Sequence, residues 1–190
     1  MKHTTRQDAR TVETEKVLRS TLEQMILEYR YTDITVSELT RRAGVHRKTF
    51  YLHYESIPQM FDSLVEEISG ELLKLLESLN LSSLDAESLL NAYNRYLSEK
   101  GELHRKLFCD EGYQTVFHKV QDKVCACLLA QLPHHDGESK KKAECIVIFI
   151  AYGLNAVWRM NYTSADPVPT EELSKWCSVF LDTGLAQLAS

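Results

Sequence analysis

The chain has 190 residues, 44% of them hydrophobic, and a net charge of −5, which suits one ordinary domain or a small module joined to a larger one and argues against disorder. No apolar run reaches the roughly 20 residues that a bilayer span needs, the longest being CIVIFIAYGLNAVW from Cys145 to Trp158, and the polar start MKHTTRQDAR lacks the apolar segment of a secretory signal. Five cysteines (Cys109, Cys125, Cys127, Cys145 and Cys177), odd in number and set in helical patterns, read as reduced thiols of a cytoplasmic protein with no membrane partner.

Charge divides unevenly along the chain. Residues 1–60 hold ten Lys/Arg against eight Asp/Glu, a net of +2, while the remainder hold twelve against nineteen, a net of −7. The first third is therefore the part suited to a polyanion.

Val17, Leu18, Leu22, Met25, Ile26 and Tyr29 recur at three- and four-residue steps, predicting an amphipathic helix that starts near Asp8 to Thr11 and ends near Tyr31. Thr35 and Glu38 in TVSE form a capping box, in which the hydroxyl takes an orphan N–H and the carboxylate returns to the cap. The helix so opened turns Val36, Leu39 and Ala43 inward and stops at Gly44, a suitable residue for the left-handed position after a helix. A third helix is expected from about Arg47 to His53. Ser56 and Gln59 make another capping box, with Pro58 in the first turn, for a long helix to about Leu79. Further helices are expected at roughly 83–100, 102–110, 113–132, 139–162 and 170–189, with loops LPHHDGES and TSADPVPT. No strand-length alternation and no internal repeat occurs, so the fold class is all-α: a three-helix unit over residues 1–55 and a helical bundle over 56–190, about nine helices in total.

The segment GVHRKTFYLHY, Gly44 to Tyr54, contains two histidines, an arginine and a lysine but no acid. Two short helices joined by a glycine turn after a longer helix make a helix-turn-helix, whose second short helix enters the DNA major groove. At about 100° per residue Phe50 and Tyr54 share one face and Val45 closes the same small core. Lys48 and Leu52 then point away, Thr49 and Tyr51 flank them, and Arg47 and His53 lie nearer the protein. Lys48, Thr49 and His46 are the candidates for base edges. Arg41, Arg42, Arg47, Tyr51 and His53 are candidates for the phosphate backbone, and Thr35 with the N–H groups it opens is a candidate phosphate cap.

The run ITVSELTRRAGVHRKTFYLHYESIPQMFDSLVEEI, Ile34 to Ile68, resembles the DNA-binding region of TetR/AcrR-family transcriptional regulators in its threonine cap, its Ala43-Gly44-Val45 turn, Thr49-Phe50-Tyr51, His53, Tyr54 and the capped fourth helix. The resemblance covers roughly residues 10–70. It implies a homodimer on a palindromic double-stranded operator, an expected repressor, with a small-molecule or protein effector bound by the C-terminal half. Two positions depart from the family pattern. His46 stands where serine is usual and is a poorer N-cap; Ile57 stands where a phosphate-binding lysine is frequent, so that contact is not carried over. The segments YNRYLSEKGELHRKLF and FIAYGLNAVWRMNYTS resemble, more loosely, a Firmicutes branch that includes regulators of dihydroxyacetone kinase operons.

In the larger bundle, Tyr93, Tyr96, His104, Leu107, Phe108, Tyr113, Phe117, Tyr152, Asn155 and Trp158 are candidate pocket residues, aromatics with a few polar tips. The last helix carries a wide stripe of Leu173, Trp176, Cys177, Phe180, Leu181, Gly184, Leu185 and Leu188. That stripe without its cysteine, together with Phe149 from the apolar helix before it, is the candidate dimer surface. PHHD at 133–136 offers no partner set for a metal. Cys125 and Cys127, two apart on a helix, face different directions. Phosphate loops, nucleophile elbows and HExxH are absent from the sequence. Neither cofactor, metal nor catalysis is expected. Two other readings stand beside the repressor: a regulator or activator switched by a partner protein, and a helical ligand-binding module without DNA activity.

Overall fold

The computed structural model describes residues 2–79, 86–131 and 137–188, with side chains over 9–79, 88–130 and 137–183. The described residues form nine α-helices and no strand: α1 Lys2–Glu28, α2 Val36–Ala43, α3 Arg47–Phe50, α4 Ile57–Ser78, α5 Ala86–Glu99, α6 Gly101–Cys109, α7 Gln114–Gln131, α8 Gly137–Thr163 and α9 Thr170–Leu188. Short 3₁₀ turns at Tyr31–Asp33 and Glu111–Tyr113 precede α2 and α7. The helix starts and stops expected of α4 to α9 hold within a few residues. Two differ at the N-terminal end: α1 begins at Lys2, well before Asp8, and regular α3 ends at Phe50. Beyond Phe50 the chain continues as a tightened turn, in which Leu52 N–H donates to Thr49 O at 3.1 Å and Tyr54 N–H to Phe50 O at 2.9 Å.

Local chemistry sets these boundaries. Thr35 is the N-cap of α2, its hydroxyl accepting from Glu38 N–H at 3.2 Å. Gly44 closes α2 at φ +65°, and Val45 N–H reaches back to Thr40 O at 3.0 Å. Ser56 caps α4 through Gln59 N–H at 3.3 Å, while Gln59 Oε1 accepts from Glu55 N–H at 2.6 Å. Neither capping box closes on its cap's own N–H: Gln59 takes the N–H of Glu55, one residue before the cap. The Glu38 carboxylate does not return to the cap but is taken by Arg41 and Arg42.

One hydrophobic core runs from α1 (Leu18, Leu22, Met25, Ile26) through α2 and α3 (Leu39, Phe50) and along α4 (Met60 to Leu72) to α6 and α7 (Leu107, Phe108, Val116, Val120). A smaller cluster of Leu90 and Leu181, with Ile150, Leu154 and Cys177, joins α5, α8 and α9. Tyr113 ties the N-terminal helices to the bundle. It is fully buried, its ring lies against Tyr31 and Phe61, and its hydroxyl donates to Tyr29 O at 2.8 Å, with Ile26 O at 3.3 Å. Those carbonyls lie in the last turn of α1 and one residue past its end, where intrahelical donors have run out. Gly112 leaves room for the Asp110 carboxylate that its N–H donates to: a Cβ there would meet Asp110 Oδ1 at 3.0 Å.

By length and composition α8 is apolar enough to cross a membrane. It carries Lys140, Lys141 and Lys142 in its first turns and a buried Asn155. It is also covered less than its sequence suggests, since Ile148 and Phe149 are exposed.

Candidate nucleic-acid interface

Phe50 is completely buried, and Tyr54 nearly so, with ring centroids 5.9 Å apart. Anchored by these two residues, α3 presents His46, Arg47, Lys48, Tyr51 and Leu52 to solvent, with Thr49 and His53 half-buried at its margins. The Tyr54 hydroxyl is 3.4 Å from Glu15 Oε1 on α1 and titrates above its ordinary range, because burial and then Glu15 oppose the phenolate. His46 occupies the N-cap of α3 without a side-chain cap hydrogen bond, so its ring is free of a local structural duty. Arg47 donates to the Tyr51 hydroxyl from Nε (3.3 Å) and Nη2 (3.1 Å) and sits over the Tyr51 ring. These two candidate backbone groups thus move as a pair.

The arginines of α2 divide into two roles. Arg42 donates to Glu28 at 2.6 Å, to the Tyr29 hydroxyl at 2.7 Å and to Glu38 at 3.0 Å, and stacks on Tyr29. It is a clip between α1 and α2, and could engage a phosphate only by giving up some of these bonds. Arg41 is the more exposed and is held by Glu38 alone, through Nε at 2.9 Å and Nη2 at 2.6 Å. Hydrogen bonds from Arg41 and then Arg42 hold the Glu38 carboxyl down to about 2, so it is ionised at any ordinary pH. Glu38 thus places one negative charge among the cations of the candidate face. Its spacing to Arg41 and Arg42, three and four residues, was a signal for these pairs in the sequence. Glu28 and Tyr29 were not foreseeable that way.

The candidate pocket residues do not converge on one cavity. Leu107, Phe108 and Phe117 belong to the main core, and Tyr113 is engaged with α1. Tyr152 donates to Asp122 at 2.7 Å, and burial, then Asp122, pushes its hydroxyl up to about 12. Tyr96 donates to Glu71 at 3.0 Å, and Lys100 pairs with the same carboxylate. Beside them His104 is buried with neither ring nitrogen hydrogen-bonded, its Nε2 lying 3.7 Å from Glu71. Tyr93 and Trp158 do meet, at a crevice of about 10 Å³ between α5, α8 and α9, room for a single water. There Asn155 donates to the Tyr93 hydroxyl at 3.2 Å, Trp158 Nε1 to Asn94 Oδ1 at 2.5 Å, and Asn94 Nδ2 to Ser174 at 3.3 Å. Among the described residues no cluster of His, Cys, Asp and Glu suits a metal, and PHHD lies outside them.

The candidate dimer stripe also splits. Phe149 is 71% and Phe180 73% exposed, and Trp176 is open too. Leu173 and Leu181 are buried within the chain, because the stripe is wider than one contact and its inner edge packs on α5. Val179, Ile148 and Met160 join the exposed side. Gly184, Leu185 and Leu188 lie outside the described side chains.

No family model matches the sequence. An uncharacterized HTH-type transcriptional regulator of Bacillus subtilis (strain 168), YxbF, is 29% identical over 67 residues, which span 35% of this chain and 18% of that protein. A TetR transcriptional regulator from Streptococcus agalactiae 2603V superposes with a TM-score of 0.67 at 18% identity, over 95% of this chain and 99% of that one. A TetR/AcrR-family transcriptional regulator from Aquifex aeolicus VF5 gives a TM-score of 0.57 at 18% identity, over 90% and 98%. The dihydroxyacetone kinase operon activator DhaS reaches only 0.48, at 19% identity over 93% and 97%, too low to bear on the branch of the C-terminal half.

Proposed function

The chain has the fold of the TetR/AcrR regulators, and we propose from this premise that it is a sequence-specific DNA-binding transcriptional regulator. The observation that carries the reading is the α2–Gly44–α3 unit: Phe50 and Tyr54 are buried while His46, Arg47 and Lys48 stand in solvent, and no acid falls between Gly44 and Tyr54. An ordinary surface helix in a chain of net charge −5 would mix both signs. Residues 1–55 act as the reading head and residues 56–190 as the body. Lys48, Thr49 and His46 face base edges. Arg47, Tyr51, His53 and Arg41 hold phosphates, with Thr35 and the first N–H groups of α2 as a further phosphate cap.

The reading includes a homodimer in the cytoplasm. The exposed Phe149, Trp176, Val179 and Phe180 form an apolar surface that water alone covers poorly, and two copies joined there would present two heads to a palindrome. Repression follows if the dimer occupies a promoter. An effector releases DNA if it binds the body better in the arrangement that misplaces the heads.

Purified protein is selected against a random duplex pool and the bound DNA sequenced. Enrichment of a palindrome, with affinity falling steeply with salt, is the expected result. No enrichment at low or moderate salt overturns the proposal.

A further inference from the structure

Leu52 is 77% exposed, the most open of the large hydrophobic residues among the described ones. A lone exposed leucine ordinarily requires no explanation. Its position makes this one informative. It stands four residues after Lys48 on the solvent side of the recognition segment, beside Tyr51 and away from the Phe50–Tyr54 core. Nothing in the fold uses it, and any polar side chain would serve solubility there better. In a major groove the apolar group within reach of such a side chain is the C5 methyl of thymine.

Resting on the DNA-binding reading above, we propose that Leu52 is a specificity determinant that reads a thymine methyl in each half-site. The geometry also gives its place in the site. Lys48 and Leu52 are one turn apart, and the tightened turn after Phe50 leaves a rise of roughly 6–8 Å between them. Base pairs repeat at about 3.4 Å, so the thymine lies about two base steps from the base that Lys48 engages, for which guanine is the favoured partner through O6 and N7. The pairing of Arg47 with Tyr51 supports this division of labour, since it turns their polar groups toward each other at the flank and leaves the centre of the face to Lys48 and Leu52.

The test uses the full chain and the operator enriched by the wild type. At each A·T position of the half-site, thymine is replaced by uracil, which removes the methyl and leaves every hydrogen-bonding group in place. Binding is measured for the wild type and for Leu52→Ala. At one position, about two steps from the Lys48-dependent one (identified by selection with Lys48→Ala), uracil should weaken the wild type about four-fold, the size of one buried methyl. It should leave Leu52→Ala unchanged. Selection with Leu52→Ala should lose preference at that position and keep the rest of the site. Uracil costing nothing anywhere, or costing both proteins equally, overturns the inference while leaving DNA binding intact, as does a half-site with no A·T preference in that register. Failure of the wild type to enrich any duplex instead overturns the DNA-binding reading itself. Because Leu52 is unpacked, circular dichroism and the unfolding temperature of Leu52→Ala should match the wild type.

Discussion

Tyr113→Phe isolates the link between head and body. The ring stays, so its packing on Tyr31 and Phe61 is kept, and only the hydroxyl that donates to Tyr29 O at 2.8 Å is removed. A neutral hydrogen bond contributes about 1 kcal/mol net, but a carbonyl left unsatisfied next to a fully buried ring raises the cost to about 1–2 kcal/mol. In a chain of this size each kcal/mol moves the unfolding temperature by about 2–4 °C, so a drop of about 2–8 °C is expected. The loss is local as well. Ile26 and Tyr29 sit where α1 exhausts its own donors, so amides from the last turn of α1 through the 3₁₀ turn at Tyr31–Asp33 should exchange faster with solvent. Thermal unfolding by circular dichroism and hydrogen exchange by mass spectrometry read the two effects. An unfolding temperature within about 1 °C of wild type, with exchange unchanged at 26–33, would refute the role given to Tyr113.

Glu38→Gln removes the charge that holds Arg41 and part of Arg42, so affinity for DNA should rise and the plot of log affinity against log salt should steepen by about 0.9 for each further phosphate the freed arginines neutralise; an unchanged slope would show that Arg41 stays away from DNA. His104 bears on pH. Burial, only partly offset by Glu71, lowers its proton affinity below the ordinary 6.5, so the unfolded chain binds the proton better, and stability is full above about 6.5 and declines as pH falls through that value. Urea midpoints at pH 7.5 and 5.5 should differ for the wild type and differ less for His104→Asn. Phe180→Glu puts a charge on an exposed position of α9; sedimentation should show a monomer that keeps its helical spectrum, and a variant that stays dimeric would move the interface elsewhere.

The parts of the fold written in short-range chemistry were legible. Thr35, Gly44 and Ser56 mark helix ends through groups within a few residues of them, and the three-to-four spacing of Phe50 and Tyr54 marks a buried face whatever surrounds it. The start of α1 was not legible, because its first turns are polar all round and carry no apolar period. Nor was the duty of Tyr113, whose partners lie 84 and 87 residues away, a pairing no local pattern encodes. The α9 stripe shows a third case. Its apolar width was evident, but which edge packs inward at Leu173 and Leu181 and which stays open at Trp176 and Phe180 depends on where α5 lies. Glu38 shows that a recognised motif can be half right: its backbone N–H caps as expected, while the carboxylate finds two guanidinium groups that attract it more than an amide.

The same division between polar edge and buried face governs how α4 joins residues 1–55 to the rest of the chain. Its carboxylates reach in three directions. Asp62 meets Lys119 and Glu66 meets Lys123, both on α7; Glu67 meets Arg19 on α1; and Glu71 meets Tyr96 on α5 and Lys100 just beyond it. The two α7 pairs lie at the surface, where each contributes little and is exchanged for water at small cost, whereas Arg19 is largely covered and Tyr96 is buried. The α7 pairs therefore select a rotational setting for α4 without locking it. What resists displacement is the apolar side, Met60, Phe61, Leu64, Ile68 and Leu72, which is continuous with both α1 and α7 and cannot open a gap without losing close packing. A stimulus that repositions the heads must therefore slide or turn α4 within that packed seam rather than pull it out. Glu71, toward its far end and 3.7 Å from the buried His104 ring, is where a change in α5 or α6 would be felt first. Substitutions that alter switching without altering DNA contact are accordingly expected at Glu71 and His104, and substitutions at Asp62 or Glu66 should change it less, because α7 is held to α4 mainly by the apolar seam.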